Sequence, residues 1–111
     1  MHDCLFCKIE KQQIPADIVF QDEDIVVFKD IAPKAEVHLL VIPRKHICGL
    51  NDLSTEDHDL IAKMLFILAK IAQQQGLDDG FRTIINTGKG GGQEVFHLHI
   101  HLLGGKALPF L

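Results

Sequence analysis

Three features of the sequence predict an α+β fold: a five-stranded antiparallel sheet with one short and one long helix. The runs Ile18-Val19-Phe20 and Ile25-Val26-Val27-Phe28 are β-branched and aromatic, and only Gln21-Asp22-Glu23-Asp24 separates them, which reads as an antiparallel hairpin. Leu60, Ile61, Met64, Leu65, Leu68, Ile71 and Ala72 recur at helical spacing. From Phe96 to Leu102 histidines alternate with aliphatic residues, the two-residue period of a strand. Hairpin-length links early in the chain favour an antiparallel sheet with segregated helices. A chain of 111 residues fits one domain, residues 1–111.

Taken in order, Cys4 to Gln12 reads as a short helix that ends before Ile14-Pro15, because Pro15 opposes its continuation. The hairpin follows. Asp30 to Glu36, with Pro33, is a loop, and Val37 to Ile42 is a third strand stopped by Pro43. Ser54 is suited to cap the long helix, with Asp57 at the capping-box position. Gly76 is its natural stop. Phe66 and Ile67 widen the apolar face of this helix, Asp57 to Gln75, beyond one stripe. That width predicts cover on two sides, the second supplied by an identical chain, and hence a homodimer. Phe81 to Ile85 is a fourth strand, Gly88 to Gln93 a glycine-rich loop, and Val95 to Leu103 a fifth strand closed by Gly104-Gly105.

Hydrophobic residues make up 47% and charged residues 23%, a globular balance. The net charge of -4 argues against nucleic acid as a partner, since phosphate backbones recruit basic surfaces. A single nucleotide needs only a few local donors and stays open. No apolar run approaches the roughly 18 residues that span a bilayer, so no membrane partner is expected. Met1 to Lys8 lacks the pattern of a secretory leader. With an odd count of three cysteines, this predicts reduced thiols in a cytoplasmic setting.

The informative stretch is Phe96-His97-Leu98-His99-Ile100-His101-Leu102-Leu103. On a strand, His97, His99 and His101 share one face, while Leu98, Ile100 and Leu102 share the other and belong on the core. Three readings of the histidine face compete. It is a solvated sheet face, a metal site, or a site of acid–base or nucleophilic chemistry. The preceding Gly88-Lys89-Gly90-Gly91-Gly92-Gln93 favours the last, because such a loop brings backbone N–H groups close to an anion. It is no Walker A loop, as no Gly-Lys-Ser/Thr ending follows. Phosphate chemistry needs a nucleophile, a proton donor and donors for the phosphoryl oxygens, and this stretch holds residues for all three.

The segment HLHIHLL resembles the signature of the histidine triad (HIT) family, and GGQEVFHLHIHLLGG resembles its Hint branch in particular. FKDIAPKAEVHLLVIPRKHI and LFCKIEKQQIPADIVFQDED are similar to two further blocks of that branch, so the resemblance covers nearly the whole chain. It implies a HIT-like fold, a homodimer, and an AMP-like purine nucleotide ligand. The implied reaction is hydrolysis of the P–N bond of purine nucleoside phosphoramidates, with no cofactor needed for catalysis. His99 would be the nucleophile, passing through a nucleotidyl-histidine intermediate. His101 would hydrogen-bond the phosphate or leaving group, with His97 completing the triad and His38 the linked fourth histidine. Asp30 would accept from the ribose hydroxyls, while Asn86, Gly92, Gln93 and Val95 would line the phosphate. Phe6, Ile9, Ile14, Phe28 and Ile31 would shape the base and ribose pocket; on pattern alone they are simply core. Two features stand apart. Glu94 occupies a position where many eukaryotic relatives carry a small hydroxyl residue, and the tail after Gly105 is only Lys106 to Leu111.

Cys4-x-x-Cys7 has metal-ligand spacing but is half a site, and the other reading is a pair of reduced thiols. The resemblance implies that two histidines, His46 and His97, complete a structural zinc site with Cys4 and Cys7. His2, His58 and Cys48 read as surface or packing residues. Two rival functions remain: a nucleotide-binding regulatory module with little turnover, and a dinucleoside polyphosphate hydrolase, which the GGQEVFHLHIHLLGG context disfavours.

Overall fold

The computed structural model describes residues 4–106 and 108. Helix α1 is Leu5–Glu10 and α2 is His58–Gln74; the strands are β1 Ile18–Gln21, β2 Ile25–Lys29, β3 Val37–Pro43, β4 Arg82–Ile84 and β5 Ile100–Gly104. They form one sheet in the order β1-β2-β3-β5-β4, with every pairing antiparallel.

The sheet is covered on both faces, which explains why Ile25 to Phe28 and Leu39 to Ile42 are continuous apolar runs. Alternate residues of these strands enter different cores. Ile25, Val27, Leu39 and Val41 pack with Met64, Leu68 and Ile71 of α2 and with Leu98, Ile100 and Leu102. Val26, Phe28, Leu40 and Ile42 pack with Phe6 and Ile9 of α1. The β1–β2 turn is held by Asp22, whose carboxylate accepts from the N–H groups of Asp24 and Ile25 at 2.8 and 2.9 Å.

The α2 start follows the expected signals. The Asp57 carboxylate accepts from the Ser54 N–H at 2.9 Å, and a single 3-10 turn, Thr55–Asp57, precedes the helix proper. Gly76 follows its end with φ +79°, a backbone state that favours glycine. Along α2, Ile67 packs partly against the core, whereas Leu65 and Phe66 are 53% and 83% exposed.

The fourth strand and α2 are each shorter than expected by one residue at either end, and two other elements differ more. The first helix spans Leu5–Glu10, with Cys4 as its N-cap and Gln12 at φ +62°. The fifth strand pairs only from Ile100 onward. Its ladder with β3 ends where Pro43 arrives, because proline has no N–H to donate. The Leu98 N–H turns instead to the Ile47 carbonyl, at 2.6 Å. The alternation survives this break: Leu98, Ile100 and Leu102 face α2, while Phe6 of α1 meets His97 and His99 edge-on. The histidine face is thus covered: His97 is 0% and His99 6% exposed.

Candidate active site and metal cluster

A cavity of about 230 Å³ opens between α1, β2 and the loop that follows β2. Phe6, Ile9, Ile14, Phe28, Ile31, Asp30 and Val95 all line it, together with Leu5, Pro15, Ala16 and Leu40. Its inner wall is the buried pair Phe6 and Phe28, whose rings meet edge-to-face at 5.4 Å. Ile31, 97% exposed, stands at the rim. An apolar slot with a carboxylate at one side has the character of a small-molecule site.

At that side the histidines form a connected relay. The Lys34 N–H donates to His38 Nδ1 at 3.0 Å. A neutral His38 therefore carries its proton on Nε2, which lies 2.9 Å from His101 Nδ1 and 3.4 Å from Asp30 Oδ2. His101 Nδ1 then accepts, leaving its own proton on Nε2. Burial holds both rings below the ordinary imidazole pKa, His101 down to about 4 with help from the neighbouring His99 and His38. Asp30 acts against this shift, and its other oxygen accepts from the Ala32 N–H at 2.8 Å.

The His99 ring lies 5.0 Å from the His101 ring, centroid to centroid, and meets Phe6 edge-on at 5.1 Å. Its Nδ1 is 2.7 Å from the His97 carbonyl oxygen, and only the nitrogen can donate in that pair. The neutral ring so held has its lone pair on Nε2. Burial lowers its pKa too, which keeps that lone pair available.

The glycine loop is braced from within. Gly88 and Gly92 take φ of +74° and +85°, and the Asn86 amide donates to the Gly91 carbonyl at 2.9 Å. The Gln93 side chain is engaged within the protein. Its Oε1 accepts from the Gly88 N–H at 2.8 Å, and its Nε2 donates to the Cys48 and Val95 carbonyls at 2.6 and 3.0 Å. With both amide hydrogens engaged and 6% exposure, Gln93 shapes the loop from behind.

The four sulfur and imidazole residues at the N-terminal side come together. His97 Nε2–H donates to the Pro43 carbonyl at 2.8 Å, which turns the Nδ1 lone pair toward Cys4 Sγ at 3.3 Å and Cys7 Sγ at 3.5 Å. His46 Nδ1 lies 3.2 Å from both Cys7 Sγ and His97 Nδ1. A tetrahedron with Zn–N near 2.0–2.1 Å and Zn–S near 2.3 Å has edges of about 3.4–3.8 Å. The donor set and its spacing fit that tetrahedron. Burial pushes the Cys7 thiol up to about 11, with the nearby Cys4 adding to the shift, a cost that a cation among the thiols would reverse.

Several contributors carried no signal in the sequence. The Lys34 N–H and the Pro43 and His97 carbonyls are main-chain groups. Cys48, expected to be a packing residue, places Sγ 3.5 Å from His46 Nε2. His58 is exposed at the start of α2. His2 lies outside the described residues, as does the tail beyond Lys106 apart from Leu108. No helix among the described residues is long and apolar enough to cross a membrane.

Residues 3–108 match the family model described as "Scavenger mRNA decapping enzyme C-term binding". Protein HitA of Neisseria gonorrhoeae is 53% identical, over 94% of this chain and 97% of that protein. The purine nucleoside phosphoramidase of Escherichia coli K12 is 47% identical, over 96% of this chain and 90% of its own length. Among solved structures, a HIT family hydrolase from Legionella pneumophila superposes with a TM-score of 0.93 at 49% identity, covering 97% of each chain. Identity at this level over nearly full length, with the same fold and an intact His97-x-His99-x-His101 array, makes this chain a member of the histidine triad family.

Proposed function

We propose that the protein is a hydrolase of purine nucleoside phosphoramidates, cleaving the P–N bond through a nucleotidyl-His99 intermediate. The observation that carries this reading is the 2.7 Å hydrogen bond from His99 Nδ1 to the His97 carbonyl, which leaves Nε2 as a buried nucleophile beside the relay. The base and ribose occupy the apolar cavity, with Asp30 accepting from the ribose hydroxyls. The Gly88–Gln93 loop faces the phosphate. His99 Nε2 bonds to phosphorus as the P–N bond breaks, and the nitrogen takes up one proton by way of His101 Nε2. The Nδ1–H of the now cationic His99 stays on the His97 carbonyl, which stabilises the intermediate. Water then attacks phosphorus, the Nε2–P bond breaks, and one water proton restores the relay. The products are an amine and a nucleoside monophosphate.

Relatives support the class of reaction, since one at 47% identity bears the name purine nucleoside phosphoramidase. A structural zinc held by Cys4, Cys7, His46 and His97 cross-links α1 to the triad segment and takes no part in the steps above. The uncovered Leu65 and Phe66 support pairing of two chains through α2. Three cysteines outside any disulfide suit a reducing, cytoplasmic setting.

Turnover of an adenosine phosphoramidate, measured beside a diadenosine polyphosphate, tests the reaction. The phosphoramidate is expected to be the better substrate, and acid quench of labelled substrate is expected to trap label on His99. His99→Ala abolishes turnover while AMP binding stays within about tenfold, roughly 1.4 kcal/mol. Turnover by His99→Ala at the wild-type rate, or label on another residue, overturns the mechanism. AMP binding without turnover of either substrate makes the protein a binding module.

A further inference from the structure

We propose that the Cys4/Cys7/His46/His97 cluster and the nucleotide cavity are thermodynamically coupled through α1 and the His97 main chain, so that zinc occupancy sets nucleotide affinity and bound nucleotide tightens zinc. This rests on the zinc and nucleotide readings above and adds a linkage between them.

The first route is α1. Six residues form no stable helix alone, so tertiary anchors hold this one. Cys4 and Cys7 point one side of it at the metal cluster, while Leu5, Phe6 and Ile9 form a wall of the cavity. Its two ends are anchored differently. Arg44 Nη1 donates to the Glu10 carbonyl at 2.7 Å and to the Glu10 carboxylate at 3.1 Å, independently of any metal. The N-terminal end is held by the packing of Phe6 and by the cluster. Without a cation, His46 Nδ1 and His97 Nδ1 lie 3.2 Å apart, and only neutral contacts among two imidazoles and two thiols hold the cluster together. Loss of metal therefore loosens the end that carries Leu5 and Phe6 and leaves the Glu10 end in place.

The second route is His97. Its ring offers Nδ1 to the metal, and its carbonyl accepts the Nδ1–H of His99 at 2.7 Å. Phe6 joins the two routes, meeting the His97 ring at 6.0 Å and the His99 ring at 5.1 Å, both edge-on. The metal thus bears on the nucleophile and on the cavity wall without touching substrate. A nucleotide entering the loosened form must reorder α1, which weakens its apparent affinity. Linkage requires the reverse effect to be equal.

The test uses full-length protein loaded with zinc, and the same protein stripped by a chelator, with calorimetric titration of AMP into each. A chromophoric chelator then reports zinc affinity with and without saturating AMP. AMP is expected to bind about tenfold more weakly to the stripped protein, and zinc about tenfold more tightly in the presence of AMP, toward the low end of known couplings because Arg44 keeps one end docked. Cys4→Ser retains a helix-capping oxygen but loses a thiolate, and is expected to behave like the stripped protein with its circular dichroism intact. Phe6→Leu keeps all four ligands and is expected to bind zinc normally while losing most of the coupling. Equal AMP affinity in both forms overturns the coupling alone. Failure to take up zinc overturns the zinc reading along with it, and failure of either form to bind AMP overturns the nucleotide reading along with it.

Discussion

Gln93→Glu separates a residue that braces the phosphate loop from one that contacts substrate. The substitution keeps shape and retains the acceptor for the Gly88 N–H. It removes both donors, those to the Cys48 carbonyl at 2.6 Å and the Val95 carbonyl at 3.0 Å, and sets a carboxylate oxygen against two carbonyls at a site 6% exposed. Two lost hydrogen bonds cost about 0.5–1.5 kcal/mol each, and facing acceptors in a buried site add to that, so about 2–4 kcal/mol is expected. For a domain of this size that is a fall in Tm of at least about 8 °C. The loss also depends on pH. Burial beside carbonyls raises the substituted carboxyl's folded pKa above its unfolded value of about 4.3. The proton is then bound more tightly in the folded state, so the penalty is full above the raised pKa and shrinks as pH falls toward about 4.3. Urea unfolding followed at several pH values, alongside kcat and KM, reads all of this. Unchanged unfolding free energy with a raised KM would show that Gln93 meets the ligand directly, and the bracing role would be wrong.

Three further outcomes follow from the same geometry. Burial lowers the folded pKa of His38 and His101, the latter to about 4, so the unfolded chain binds more protons below about 6.5. Stability is complete above that pH and is lost as pH falls toward 4; His101→Gln should flatten the slope of unfolding free energy between pH 6.5 and 4.5. Arg44→Ala removes the charged contacts to Glu10 along with those to the Asp22 carbonyl and Gln21 Oε1, and should cost about 2 kcal/mol in urea unfolding. Phe66→Asp, at a site 83% exposed within one chain, should leave the fold intact by circular dichroism but shift sedimentation from dimer to monomer; an unchanged dimer would place the interface elsewhere.

The sequence by itself determined the parts whose cause is local. The β1–β2 hairpin is legible because Asp22 in a four-residue link supplies its own turn acceptor, and α2 because a capping pair and a glycine stop bracket a periodic run. The two-residue alternation placed Leu98, Ile100 and Leu102 on the core and the three histidines opposite them. The motif blocks named the cavity residues, because a family resemblance carries three-dimensional information that hydropathy alone does not. Only the tertiary structure decided how far β5 pairs, since the missing donor at Pro43 lies on a different strand from the histidines it affects. It also decided which nitrogen of His38, His97 and His99 carries the proton. Those tautomers are set by main-chain groups of Lys34, Pro43 and His97, and every residue type has an N–H or a carbonyl to offer except for proline's missing donor, so no side-chain pattern encodes them. The partners of the Gln93 side chain were not legible for the same reason: they are the backbones of Gly88, Cys48 and Val95, brought together only when the loop closes over the Cys48 segment.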